Sequence, residues 1–200
     1  MSTKIALVTD GSSGIGEATA LKLQELGYTT YAAARLTQLV LPHMRERRSG
    51  TIVNITSMGG KIYTPLGAWY HATKFALEAI SDCLRMELGP FGIDVVVIEP
   101  GGIQTEWGGI AAEKVRAVSG TGPYAPQGNA VAEALSSESA QRRLSPPELI
   151  ARTIARAVTA RRPKTRYAVG YGAKPLIFLH GVLPNRWFDA FMRRATGVPA

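Results

Sequence analysis

Three short runs constrain the fold of this chain most: IALV at 5–8, TIVNIT at 51–56 and VVVIE at 95–99. They are rich in β-branched residues, and they do not alternate between apolar and polar. A strand that is wet on one face alternates, whereas one buried on both faces reads as a nearly continuous apolar run. Helical patterns separate the runs. Strands alternating with helices predict a parallel sheet covered on both faces, an α/β doubly wound fold. With 200 residues and 46% hydrophobic content, the chain is long enough for one such core. We therefore read 1–200 as a single domain.

Further patterning fills in the order. A helix is expected over 14–26, stopped by Gly27, then a second strand over 29–34. A helix over 36–48 runs through Pro42 and ends at Gly50, and a long helix over 69–88 is stopped by Gly89-Pro90. The glycine-rich stretch 101–128 predicts mostly loop with a short helix. The stretch 119–143 is the least structured, and 101–145 reads as a substrate loop or lid. Ser145-Pro146-Pro147-Glu148 predicts a capped helix start, 167–169 a last short strand, and 173–200 a helical tail.

The formal net charge is +8. Its basic residues fall in short clusters (Arg45, Arg47, Arg48; Arg142, Arg143; Arg161, Arg162, Lys164; Arg193, Arg194) near expected helix ends, where cations complement the helix dipole. We read them as solvated and expect no nucleic-acid partner. The lone Cys83 excludes an intrachain disulfide, no Cys/His cluster has metal-ligand spacing, and a cytoplasmic location is expected. No charged-then-apolar leader precedes the first strand, and no apolar stretch reaches the roughly 18 residues of a membrane span.

Two places carry chemistry. "TDGSSGIG" at 9–16 follows the first strand and opens the first helix. Glycines there let a backbone approach a phosphate, and the helix start supplies unpaired N–H groups. Glycines also serve ordinary turns, so the pattern gains force only from this placement. Arg35, just past the expected second strand, either pairs with a 2′-phosphate or is a solvated loop residue. In "WYHATKF", Tyr70 and Lys74 stand at i and i+4 on one helix face. Ser57 ends the 51–56 strand, and "EPGGIQT" ends the 95–99 strand. Ligands of parallel sheets lie at the carboxyl ends of strands, so these segments share one edge. His71 points off the Tyr70–Lys74 face and reads as a surface or interface histidine.

Taken together, the T-x-x-x-x-G-x-G turn, the VNITS strand, the Y-x-x-x-K helix and the P-G-x-x-x-T turn resemble the short-chain dehydrogenase/reductase family. The resemblance implies a Rossmann-like fold and hydride transfer between an alcohol or ketone and a nicotinamide. It implies Tyr70 as the base, Lys74 to lower its pKa and hold the ribose, and Ser57 to hydrogen-bond the substrate oxygen. It also implies Thr9, Gly11, Ser12, Ser13, Gly14, Ile15 and Gly16 at the pyrophosphate, Arg35 at a 2′-phosphate, and Pro100, Gly101, Ile103 and Thr105 at the carboxamide. NADP(H) is then preferred over NAD(H), with no metal. The substrate is a small alcohol or ketone, apolar in the manner of a steroid or retinoid, with Trp107, Phe178 and Trp187 either lining its pocket or in the core. A homodimer or homotetramer would form through 36–48 and 69–88, with Leu39, Phe75, Ile80 and Leu84 among the apolar residues outside the core face.

The chain departs from the family in two ways. Asp10 replaces the usual glycine of the turn, placing a carboxylate near the phosphates. Two strand–helix units are missing, as if deleted between residues 35 and 36, along with the N-N-A-G turn, the water-binding asparagine and the adenine-pocket strand. The expected sheet has about five strands instead of seven, with the first strand paired directly to the Ser57 strand. That pairing shifts the glycine turn by one strand spacing, ~4.8 Å, relative to Ser57 and Tyr70. The alternative implied is a catalytically impaired binding or interaction protein on the same scaffold.

Overall fold

The structure, a computed structural model, describes residues 6–9 and 29–199. Its strands and helices run in the order β1 (Ala6–Thr9), α1 (Thr29–Arg47), β2 (Gly50–Ile55), α2 (Ala68–Leu88), β3 (Ile93–Pro100), α3 (Trp107–Ser119), α4 (Ala125–Ser136), α5 (Glu138–Gln141), α6 (Glu148–Thr159), β4 (Arg166–Val169), α7 (Ala173–Val182) and α8 (Asn185–Thr196). Among the described residues the strands form one four-stranded sheet in the order β1-β2-β3-β4. Every pairing is parallel, with Thr9 opposite Asn54, Ile55 opposite Ile98, and Pro100 opposite Val169. The first strand is thus joined directly to β2, as expected.

The same strands feed both faces of the sheet. Ile52 and Val95 point to a cluster with Met44 and Leu88 of the helices on one side. Their neighbours Val53 and Val96 point to the other side, where Ala157 of α6 joins them. Both faces are covered, so the strands carry no polar alternation. Behind α2, a tight turn (Gly89–Phe91) leads to Gly92 at φ 70°, where an added Cβ would lie 2.5 Å from the Arg48 carbonyl oxygen. That approach admits glycine and little else.

Several expectations are corrected. Residues 29–34 are not a strand but the first turns of α1, so the described sheet has four strands rather than about five. Three consecutive alanines are strong helix formers, and they extend the helix that 36–47 establishes. The position between residues 35 and 36 lies inside that continuous helix. The stretch 101–128 is mainly helical, and 119–143 contains α4 and α5. Its glycines permit close helix packing: a Cβ on Gly128 would meet the Ser119 carbonyl oxygen at 2.4 Å. Ser145 does not cap α6, whose N-cap is Pro147. Among the described residues no helix is long and apolar enough to cross a membrane.

Candidate functional site

The carboxyl ends of β2 and β3 lie side by side, and the site is built on them. Ser57 follows β2 and caps the turn Met58–Gly60: its Oγ accepts from the Gly59 amide at 3.0 Å and donates to the Pro100 carbonyl at 3.4 Å. Tyr70 lies against this turn. A Cβ on Gly59 would be 2.8 Å from Tyr70 Cε1, so only glycine leaves room for the ring. One helical turn on, Lys74 is 5% exposed, and its Nζ donates to the Ile55 carbonyl at 3.3 Å. Ser57, Tyr70 and Lys74 are thus gathered around residues 55–60. The Tyr70 ring is half-buried, with its centroid 5.3 Å from that of Trp107.

The turn after β3 is pinned from two sides. The amides of Gly101 and Gly102 donate to the carbonyls of Val169 and Tyr171, each at 2.8 Å. Ser145 accepts from the Gln104 amide at 2.8 Å and donates to the Gly102 carbonyl at 3.0 Å. Pro100, Gly101 and Ile103 are half-buried and Thr105 is exposed, bordering an open cavity of about 470 Å³ between α3 and the 136–141 segment. Glu106, Glu113, Ser136 and Gln141 make that cavity partly polar.

His71 is a correction. It is buried rather than a surface residue, and its neighbours define its tautomer. The Thr64 amide donates to Nε2 at 3.0 Å, so Nδ1 carries the proton and donates to the Gly59 carbonyl at 2.8 Å. Burial pushes its pKa down, opposed by the bond to Gly59. A neutral His71 therefore ties the 57–67 loop to α2. Its spacing with Lys74, Glu78 and Ser81 (i, i+3, i+7, i+10) is the sequence signal of one helical face, which the Tyr70–Lys74 pair obscures.

Arg35 is the other correction. It stands within α1 rather than after a strand, exposed, with Nη1 donating to Gln38 Oε1 at 3.3 Å. Phe178 and Trp187 are not core: each is 70% exposed on the C-terminal helices. Thr9 ends β1. Gly11, Ser12, Ser13, Gly14, Ile15 and Gly16, together with Asp10, lie outside the described residues.

Sequence reasoning missed a charged cluster beneath the site. Glu78, one turn beyond Lys74, accepts from Thr56 Oγ1 at 2.5 Å. Its other oxygen lies 3.2 Å from Lys61 Nζ and 3.0 Å from Arg166 Nη2. Arg166 also reaches Asp82 Oδ2 at 2.7 Å and lies 3.2 Å from Glu99 Oε1. The hydrogen bond from Arg166 holds the Asp82 pKa down at about 2, whereas burial and then the nearby Glu78 charge push Glu99 up. The signal available in sequence is a charge at i+4 from Lys74; its partner stands 88 positions away.

The donor set at the sheet edge, a phenol, an ammonium, two hydroxyls and a turn of half-buried backbone, fits the nicotinamide riboside half of a dinucleotide. A family signature described as short chain dehydrogenase matches residues 30–115, which include Ser57, Tyr70, Lys74 and the 100–105 turn. VdlC of Helicobacter pylori, named a probable short-chain type dehydrogenase/reductase, is 33% identical over 163 residues, covering 82% of this chain and 59% of its own. Dehydrogenase/reductase SDR family member 7B of Xenopus tropicalis is 34% identical over 166 residues, 82% of this chain and 48% of its own. This chain therefore spans about half to three-fifths of these relatives. Among solved structures, a short-chain dehydrogenase from Streptomyces avermitilis superposes with a TM-score of 0.63 at 28% identity, over 96% of this chain and 69% of that one. A parallel sheet covered on both faces, a Tyr–Lys helix against a serine turn, and these likenesses lead to one assignment: the chain belongs to the short-chain dehydrogenase/reductase family.

Proposed function

We propose that this chain is an NADP(H)-dependent oxidoreductase interconverting a secondary alcohol and a ketone, with Ser57, Tyr70 and Lys74 as its catalytic residues. The observation that carries this reading is their convergence on the 55–60 turn. Bound NADPH supplies the hydride. Ser57 Oγ, oriented by the Gly59 amide, hydrogen-bonds the substrate oxygen. Tyr70 donates the proton to that oxygen in reduction and takes it back in oxidation. Lys74 offers Nζ as a hydrogen-bond donor for the ribose. Pro100, Gly101, Ile103 and Thr105 hold the carboxamide, and Thr9 and residues 11–16 hold the pyrophosphate.

The preference for NADP(H) is supported by the net charge of +8, which favours the extra phosphate. An apolar substrate is supported by Trp107 against Tyr70, with α3 and α4 (within 101–145) as the substrate lid over a single domain that ends in the 173–200 tail. The same reading makes the protein cytoplasmic and a homodimer or homotetramer through α1 and α2. Leu39 is 61% and Phe75 41% exposed there, while Ile80 is half-buried and Leu84 packs on the core. Direct pairing of β1 with β2 supports the expectation of weak turnover. The test is NADPH oxidation with a panel of apolar ketones, wild type against Ser57→Ala. Slow turnover reduced by the substitution is expected. Absence of turnover, or turnover that Ser57→Ala leaves unchanged, overturns the reading.

A further inference from the structure

Four of the six buried residues of α2 are polar or charged: His71, Lys74, Glu78 and Ser81. The hydrophobic effect that holds an apolar helix face to a sheet is non-directional, whereas a hydrogen bond fixes a particular pair of atoms. α2 is held differently. Three of these residues, at i, i+4 and i+7, each reach a separate group at the end of β2. Lys74 Nζ donates to the Ile55 carbonyl at 3.3 Å, Thr56 Oγ1 donates to Glu78 Oε1 at 2.5 Å, and Asn54 Nδ2 donates to Ser81 Oγ at 2.9 Å. Ser81 Oγ in turn donates to the Leu77 carbonyl at 2.6 Å, which fixes its rotamer. These bonds are buried, and a buried hydrogen bond left unmade is costly.

We propose that this polar seam, with Thr56–Glu78 as its central rung, sets the height and roll of α2 on β2 and so positions Tyr70 and Lys74 against Ser57. The proposal rests on the reading of those three residues as catalytic. Thr56 is the residue before Ser57, and Glu78 is one turn after Lys74, so their bond joins the two halves of the site one step below the reacting groups. The charged cluster braces the rung from outside. Arg166 of β4 and Lys61 of the turn both hold Glu78 Oε2, at 3.0 and 3.2 Å, which leaves Oε1 directed at Thr56. Arg166 also lies 3.2 Å from Glu99, the residue before Pro100. One guanidinium thereby links α2 with the end of β3, where the 100–105 turn begins. Thr56, Glu78 and Arg166 touch no reacting atom in this account; they are positioning residues.

The test uses Thr56→Val, which keeps shape and removes the hydroxyl, Thr56→Ser, which restores it, and Ser81→Ala, which removes a second rung. Two readouts are taken well below each variant's melting temperature. The first is kcat and KM for NADPH-dependent ketone reduction. The second is independent of activity. In a Trp69→Phe/Trp187→Phe background, replacing residues that are 88% and 70% exposed, Trp107 is the sole tryptophan, and its emission reports the Tyr70 ring beside it. Thr56→Val is expected to lower kcat about 10- to 100-fold with little change in KM. It should also shift Trp107 emission to the red and raise its acrylamide quenching constant, while Thr56→Ser stays close to wild type in both. A folded Thr56→Val protein with wild-type quenching overturns the proposal whatever its kcat, since the helix has then not moved. If the wild type shows no turnover, the functional reading falls and the fluorescence alone decides the positioning claim. If Thr56→Val does not fold, Ser81→Ala carries the same comparison.

Discussion

Replacing Arg166 by methionine removes a cation that three carboxylates share, and the structure indicates how much that costs and at which pH. Asp82 is 36% exposed and also pairs with Arg85, so it contributes little. Glu78 keeps Lys61 at 3.2 Å. Glu99, 4% exposed and already raised by burial and by Glu78, is the group left without a partner. A buried carboxyl that cannot ionise stays protonated, and keeping that proton costs about 1.36 kcal/mol for every pH unit above its unfolded pKa. With an ordinary value of 4.5, the ceiling at pH 7 is roughly 3 kcal/mol, and at pH 5 it is under about 1 kcal/mol. A raised folded pKa contributes stability below the unfolded value and loses it as pH rises, so the variant should weaken progressively from pH 5 to pH 7. Three kcal/mol is a large share of the ~5–15 kcal/mol of a typical domain. Urea unfolding of wild type and Arg166→Met at both pH values measures the difference. A loss equal at the two pH values, or below about 1 kcal/mol at pH 7, would refute the view that Glu99 depends on this guanidinium.

Other consequences follow from single contacts. His71 is buried neutral with a lowered pKa, so wild-type stability should fall as pH drops below 6.5, and His71→Phe should flatten that limb of the stability–pH curve while lowering stability at pH 8. Gly92→Ala should cost about 1–3 kcal/mol in urea melts, because φ 70° and a Cβ at 2.5 Å from the Arg48 oxygen cannot both be relieved locally. Light scattering at micromolar concentration should give a dimer or tetramer that Leu39→Glu with Phe75→Glu dissociates; a monomeric wild type contradicts the proposed interface. Calorimetry should give tighter binding of NADPH than of NADH, and equal affinities would contradict the proposed preference.

The sequence carried the sheet because β2 and β3 are buried on both faces by separate helices, and continuous β-branched runs record that directly. It carried the Tyr70–Lys74 helix because one spacing fixes two side chains on one face. It misled at 29–34, where local patterning cannot say whether a partner strand exists; there the alanines follow helix propensity. Glycines at 108, 109 and 128 read as loop signals although they lie within helices, Gly128 where α4 approaches Ser119 closely. The burial of His71 and the Glu78–Arg166 pair were hidden for a common reason: polar residues on a helix face read as solvent-facing until their partners, remote in sequence, are known.

The central claim is that the phenol of Tyr70 moves the substrate proton. Its most direct test is the rate of NADPH oxidation with apolar ketones by the wild type and by Tyr70→Phe, which keeps the ring against Gly59 and Trp107 and removes only the hydroxyl. The account predicts turnover below the ordinary enzyme range of about 1–10³ s⁻¹, falling by a further 10²–10⁴-fold in the variant. Turnover that Tyr70→Phe leaves intact would contradict it.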